Sequence, residues 1–85
     1  MSYKVIWSQR AQKDLAKLDS NVRNRIVAKV ESIKGQPLDY IKHLTGVPLY
    51  SLRVGDYRVI LDISTSQILI FVVRTGHRSG IYDEL

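Results

Sequence analysis

Tyr50-Ser51-Leu52-Arg53-Val54-Gly55-Asp56-Tyr57-Arg58-Val59-Ile60-Leu61-Asp62-Ile63 is the stretch that decides the fold. Tyr50, Leu52 and Val54 alternate with Ser51 and Arg53, and Tyr57, Val59, Leu61 and Ile63 alternate with Arg58, Ile60 and Asp62. A period of two puts successive side chains on opposite faces of a strand, so both runs read as strands. Gly55-Asp56 between them suits a two-residue hairpin loop, with glycine supplying the positive φ of a type II′ turn. That turn sets the register: Val54 faces Tyr57, Arg53 faces Arg58, and Ser51 faces Ile60. Two guanidinium groups then leave the same face from directly paired positions. Like charges opposed across strands destabilise a sheet, which makes the pair a poor choice for stability alone. A phosphate accepts bidentate hydrogen bonds from such groups, so the face is a sensible anion site. The other reading is a surface network in which each arginine meets an acid such as Asp62 or Asp83.

Upstream, the period changes. Residues 3–7 read as a short first strand, and Ser8 follows as a helix N-cap. Ala11, Leu15 and Leu18 recur at helical spacing, with Arg10, Lys13 and Lys17 on the wet stripe. Asp19 and Ser20 interrupt this helix, and Ser20 is expected to cap the next one. There Val22, Ile26, Val27, Val30 and Ile33 mark the buried face, Gly35 stops the helix, and Pro37 lies just beyond. So short a junction makes the two helices an antiparallel hairpin. Residues 35–48 read as a loop that ends with Gly46 and Pro48. Downstream, residues 64–66 form a second turn. Residues 68–73 are apolar on both faces and read as a central strand, Gly76 breaks it, and residues 77–85 form a short C-terminal helix or tail. The expected fold is α+β in the order β-α-α-β-β-β: an N-terminal strand, a helical hairpin, then three further strands in a largely antiparallel sheet covered on one face by the helices.

Eighty-five residues are read as a single domain, 1–85, because two cores would leave neither with enough interior. The absence of cysteine excludes a disulfide framework and thiolate sites. With His43 and His77 as the only histidines, a structural zinc site is not expected. His43 lies in the long loop and reads as packing or solvent-facing. The apolar run at residues 68–73 is far too short to cross a bilayer. Lys4 is followed by only three apolar residues, so no secretory signal is expected, and the expected location is cytoplasmic.

The net charge of +5 resides in residues 1–36, where eight basic groups face three acidic ones, while residues 37–85 balance. Such a basic surface attracts nucleic acid, acidic proteins or anionic lipid, or serves only as a solvated helix face. Near the end, Arg78 follows Gly76-His77, in the kind of post-strand loop where functional side chains collect. Tyr82 reads either as a platform for stacking an RNA base beside cationic groups or as a residue pinning the tail to the sheet.

Leu44-Thr45-Gly46-Val47-Pro48, then residues 50–58 as quoted, then Val72-Val73-Arg74-Thr75-Gly76-His77-Arg78 with Ile81-Tyr82, resemble the RelE/ParE toxin superfamily across essentially the whole chain. The glycine-histidine-arginine run and the late tyrosine are similar to its RelE branch. The resemblance implies a toxin of a type II toxin–antitoxin module, a ribosome-dependent mRNA endoribonuclease cutting in the decoding site. Attack by a 2′-hydroxyl on the adjacent phosphodiester is implied, with no metal or other cofactor. It also implies a cognate RelB-like antitoxin that wraps the toxin and displaces its C-terminal segment.

By the same resemblance, Arg58 stabilises the transition state, Arg78 stands near the leaving group, and Tyr82 orients the messenger base. Arg53 falls where the better-known bacterial enzymes have the second of two lysines, and Ser51 falls at the first. An arginine stays protonated and a serine is no base, so the proton acceptor must lie elsewhere. Histidine titrates near neutrality, which makes His77 beside Arg78 the candidate; the other readings are a loop-shaping role for His77 and a contribution to catalysis from the ribosome. Lys13, Lys17, Arg25 and Lys29, with Ser51, are the expected RNA contacts, salt-dependent and nonspecific, and the basic helix residues equally suit an acidic antitoxin segment. Two other functions fit the same fold: a ParE-like gyrase poison, and a catalytically inactive relic that binds nucleic acid or the ribosome.

Overall fold

The computed structural model describes residues 2–84. In chain order it contains β1 (Lys4–Trp7), α1 (Gln9–Ala16), α2 (Ser20–Ser32), a 3-10 turn (Pro37–Asp39), β2 (Lys42–His43), β3 (Tyr50–Val54), β4 (Tyr57–Ser64), β5 (Leu69–His77) and a C-terminal 3-10 turn (Ile81–Glu84). The five strands form one sheet in the order β1-β5-β4-β3-β2. Among the described residues only the β1–β5 pair is parallel, so the α+β architecture is the expected one with a short extra strand, β2, inside the stretch read as loop.

The central hairpin has the register that its turn chemistry requires. Gly55 adopts φ +60, and Val54, Arg53 and Ser51 face Tyr57, Arg58 and Ile60. The inner face of the sheet contributes Leu52, Val54, Val59, Leu61, Ile70 and Val72 to the core. The helices bring Ala11, Ile26 and Val30 onto it, with Ile33 just past the end of α2. Ile26, Val30 and Ile33 follow the i, i+4, i+7 spacing of one helical stripe. Val27 lies about 100° round the helix from that stripe, and it is 36% exposed rather than buried. The cap of α2 is Asp19, not Ser20: its carboxylate accepts from the Asn21 N–H at 3.1 Å, and Ser20 is the first helical residue. An acidic cap gains from the helix dipole as well as from the hydrogen bond. For α1 the cap is Ser8, as expected, accepting from the Ala11 N–H at 3.0 Å.

β5 differs from expectation at both ends. It starts at Leu69, because Ile68 sits in the preceding turn with φ 57 and is held there by the Lys4 N–H, which donates to its carbonyl at 2.9 Å. It also runs through Gly76 to His77, with Gly76 paired to Arg58. Glycine serves close packing here, since a Cβ at residue 76 would lie 3.2 Å from the Ile81 Cδ1. Between these ends β5 carries a bulge: Leu61 faces Val72 and Ile60 faces Arg74, which leaves Val73 as an extra residue.

β1 stops opposite Val72, and α1 takes over the edge of β5 beyond that point. The Ser8 hydroxyl donates to the Val73 carbonyl at 2.8 Å, and the Asp14 carboxylate accepts from the Thr75 N–H at 3.1 Å. These bonds satisfy strand-edge groups that a longer β1 would otherwise have paired. Among the described residues no helix is long and apolar enough to cross a membrane.

Candidate active site

The outer face of the hairpin forms the floor of an open cleft of about 880 Å³. Ser51 and Arg53 reach it from β3 and Arg58 from β4, as alternation and the hairpin register require. Arg78 and Tyr82 close it from the C-terminal segment. Two contacts position that segment. The Arg78 N–H donates to the Asp56 carbonyl at 2.8 Å, tying the tail to the hairpin turn, and the hydroxyls of Ser51 and Tyr82 lie 2.9 Å apart. Ser51 is nearly buried, whereas Tyr82 keeps 41% of its surface exposed, so the ring is moored at its tip and open along its side.

Three guanidinium groups thus share one concavity. Arg58 is held over the turn by the carbonyls of Gly55 and Tyr57, each accepting from its Nη1 at 2.9 Å. Neither Arg53 nor Arg58 has an ion pair among the described residues, so the expected alternative of a network with Asp62 or Asp83 is not formed there. Arg78 meets Asp56 at 3.9 Å with both side chains largely exposed, a contact that water and salt weaken. The arginines are therefore available to an anionic ligand.

His77 does not join them. It pairs with Tyr57, whose ring it meets edge-on at a centroid distance of 5.4 Å, whereas Arg58 pairs with Gly76. Paired residues share a face, so His77 leaves the sheet on the side opposite the arginines. Its Nδ1 accepts from the Ser79 N–H at 3.1 Å and lies 2.8 Å from the Ser79 hydroxyl, the geometry of a loop-shaping residue.

The four basic helix residues also separate. Arg25 and Lys29 border a second groove of about 470 Å³, which Arg53 joins to the cleft. Lys17 lies with Asp14 at the hollow containing His77, and Lys13 lies with Gln9 and Gln12 on α1. Only Arg25 and Lys29 continue the cationic surface of the cleft.

Sequence reasoning missed Lys42 and His43, which border the cleft from β2. Ile41, Lys42, His43 and Leu44 show no alternation, and two residues are too few for a periodic signal. The one available cue was a charged residue in an irregular stretch, a common feature of short edge strands. Among the described residues no group of three or more His, Cys, Asp or Glu could hold a metal ion.

Comparison with known proteins agrees with this architecture. A family model described as the ParE toxin of the type II toxin–antitoxin system parDE matches residues 5–82. The mRNA interferase toxin RelE of Escherichia coli is 29% identical over 89 residues, covering 99% of this chain and 94% of that protein. Toxin RelE3 of Methanocaldococcus jannaschii is 32% identical over 87 residues, covering 94% and 96%. Among solved structures, the RelBE2 toxin–antitoxin complex of Mycobacterium tuberculosis superposes with a TM-score of 0.86 at 26% identity, covering 92% of this chain and all of the matched one. The isolated E. coli RelE toxin gives 0.76 at 27% identity, covering 98% and 94%.

Proposed function

The chain belongs to the RelE/ParE superfamily of type II toxin–antitoxin toxins, and from that premise we propose that it is a ribosome-dependent messenger endoribonuclease. The observation that carries the reading is the convergence of Arg53, Arg58, Arg78 and Tyr82 on one cleft. Curated relatives named as mRNA interferases support it. The 85 residues act as one cytoplasmic toxin domain, and the solved complexes of similar toxins with RelB support a RelB-like antitoxin as its partner.

Cleavage starts with loss of the proton from a 2′-hydroxyl and attack of that oxygen on the neighbouring phosphorus. Negative charge builds on the phosphate oxygens, where Arg53 and Arg58 stabilise it. Arg78 donates a hydrogen bond to the departing 5′-oxygen. Tyr82 offers its open face to a base and so sets the nucleotide in line. The reaction needs no metal, because the guanidiniums supply the positive charge. Arg25 and Lys29 extend the same cationic surface along the RNA backbone.

The test is to add the purified protein to translating ribosomes and map messenger ends, with Arg58→Ala and Arg78→Ala in parallel. Cuts phased with codons in the wild type that vanish in both variants support the proposal. Intact messenger overturns it. Gyrase-dependent DNA breaks in its place would assign the chain to the other activity of the superfamily, a reading favoured by the ParE description of the matching family model.

A further inference from the structure

We infer that Lys42 is the proton acceptor of the cleft, taking the 2′-hydroxyl proton of the nucleotide that is cut; the inference rests on the endoribonuclease reading above. The acceptor must be a side chain with an attainable neutral form on the same face as the arginines. Guanidinium groups have no such form. The hydroxyls of Ser51 and Tyr82 are bonded to one another, and His77 leaves the sheet on the opposite side.

Among the described residues lining the cleft, two further titratable side chains remain, Lys42 and His43, and strand register separates them. His43 pairs with Tyr50 and packs edge-on against its ring at a centroid distance of 5.0 Å. Tyr50 lies against the core, so the His43 ring packs on that side and only borders the cleft, on the face opposite the one that Arg53 and Arg58 share. Lys42 pairs with Ser51, and its side chain therefore leaves on the face shared by Ser51, Arg53 and Arg58. It is exposed, and it has no ion pair or side-chain hydrogen bond among the described residues. It lines the cleft together with Ser51 and Arg53 from β3, Arg58 from β4, and Arg78, Ser79 and Tyr82 from the tail, with His43, Leu44 and Thr45 beside it in the chain. Among the described residues no carboxylate borders the cleft to compete for its amine.

The Lys42 Nζ takes the proton, the 2′-oxygen forms its bond to phosphorus, and the bond from phosphorus to the 5′-oxygen breaks. The products are a 2′,3′-cyclic phosphate and a 5′-hydroxyl. The departing oxygen takes its proton from water while Arg78 hydrogen-bonds it, and Lys42 returns its own proton to solvent.

Full-length Lys42→Ala and Lys42→Arg are assayed on ribosomes carrying a defined messenger, with ethylamine added at constant total concentration across a pH series. Both variants should lose roughly 10²–10⁴-fold in cleavage rate, the range for removing a general base. Ethylamine should restore Lys42→Ala in proportion to its unprotonated fraction and leave the wild type unaffected. Thermal melting confirms that both variants are folded, as expected for an exposed edge position. Lys42→Arg retaining cleavage within threefold of wild type overturns the inference, because charge alone would then suffice. So does rescue that follows the ethylammonium ion, or none at all. If the wild type leaves messenger uncut, the endoribonuclease reading itself fails, a result distinct from any failure of Lys42.

Discussion

Asp14 should be the most stability-critical charged residue of the fold. Its carboxylate, 8% exposed, accepts from the Arg74 Nε at 2.9 Å, more weakly from the Arg74 Nη2 at 3.4 Å, and from the Thr75 N–H at 3.1 Å. Arg10 stands one helical turn back at 3.7 Å. Asp14→Ala would strip the Thr75 amide of its acceptor in a region where Thr75 is 2% exposed, and would leave the largely buried Arg74 without this carboxylate. Breaking a buried ion pair from one side costs about 3–5 kcal/mol. The partial exposure of Arg74 and the nearness of solvent bring the expectation to about 2–4 kcal/mol. In a domain of this size each kcal/mol corresponds to a fall in melting temperature of roughly 4–8 °C. Urea unfolding followed by circular dichroism measures the loss. Asp14→Asn, which keeps an acceptor for Thr75 but not the charge, should lose less than Asp14→Ala. Combining Asp14→Ala with Arg74→Met should cost clearly less than the two single changes added together, since each single change already breaks the contact they share. An Asp14→Ala variant within about 0.5 kcal/mol of wild type, the range for an ordinary surface substitution, would refute the reasoning.

The mooring of Tyr82 is tested by Ser51→Ala and Tyr82→Phe. Each should cost about 0.5–1.5 kcal/mol of local stability and lower amide protection at residues 80–83, with the double change no worse than either alone; additive losses would show that the two hydroxyls do not act as a pair. Gly55→Ala should destabilise by about 1–2 kcal/mol, because an L residue resists the positive φ at this turn, and the measure is again urea unfolding; the Arg25 guanidinium, 3.0 Å from the added Cβ, can swing aside. His77→Gln should cleave with an unaltered pH profile, and a flattened profile would return His77 to the mechanism. Replacing both Arg25 and Lys29 by alanine should reduce the slope of log affinity against log salt by up to about 0.7 per lost phosphate contact on single-stranded RNA, whereas the same change at Lys13 should leave the slope untouched.

The hairpin and its arginine pair were legible because a two-residue turn with glycine first admits few registers, and register dictates faces. The two helices were legible from spacing, although Val27 shows that an apolar residue beside a stripe need not belong to it. β2 was not legible, since its strand character comes from pairing with β3 rather than from any preference of Lys42 and His43. Gly76 misled for a related reason. Glycine signals a break when the chain is read locally, yet here it admits the Ile81 side chain against the sheet, a tertiary demand with no local signature. Of the candidate site, the residues on the hairpin followed from alternation alone, while Arg78 and Tyr82 depended on how the tail folds back.

That return of the tail depends on Val73. Ile70 and Val72 face the core, so uninterrupted alternation would put Gly76 on the core side and send His77 outward with the arginines. The bulge inserts one residue and reverses this parity: Thr75 pairs with the core residue Val59, His77 with Tyr57, and Gly76 with Arg58. Gly76 thereby lies on the cleft side, where its missing Cβ lets Ile81 pack close. Ile81, only 5% exposed, anchors the turn that carries Tyr82 toward Ser51. Asp14 supports the reversed segment from the edge through Arg74 and Thr75. One extra valine thus removes a histidine from the cleft and brings a tyrosine into it.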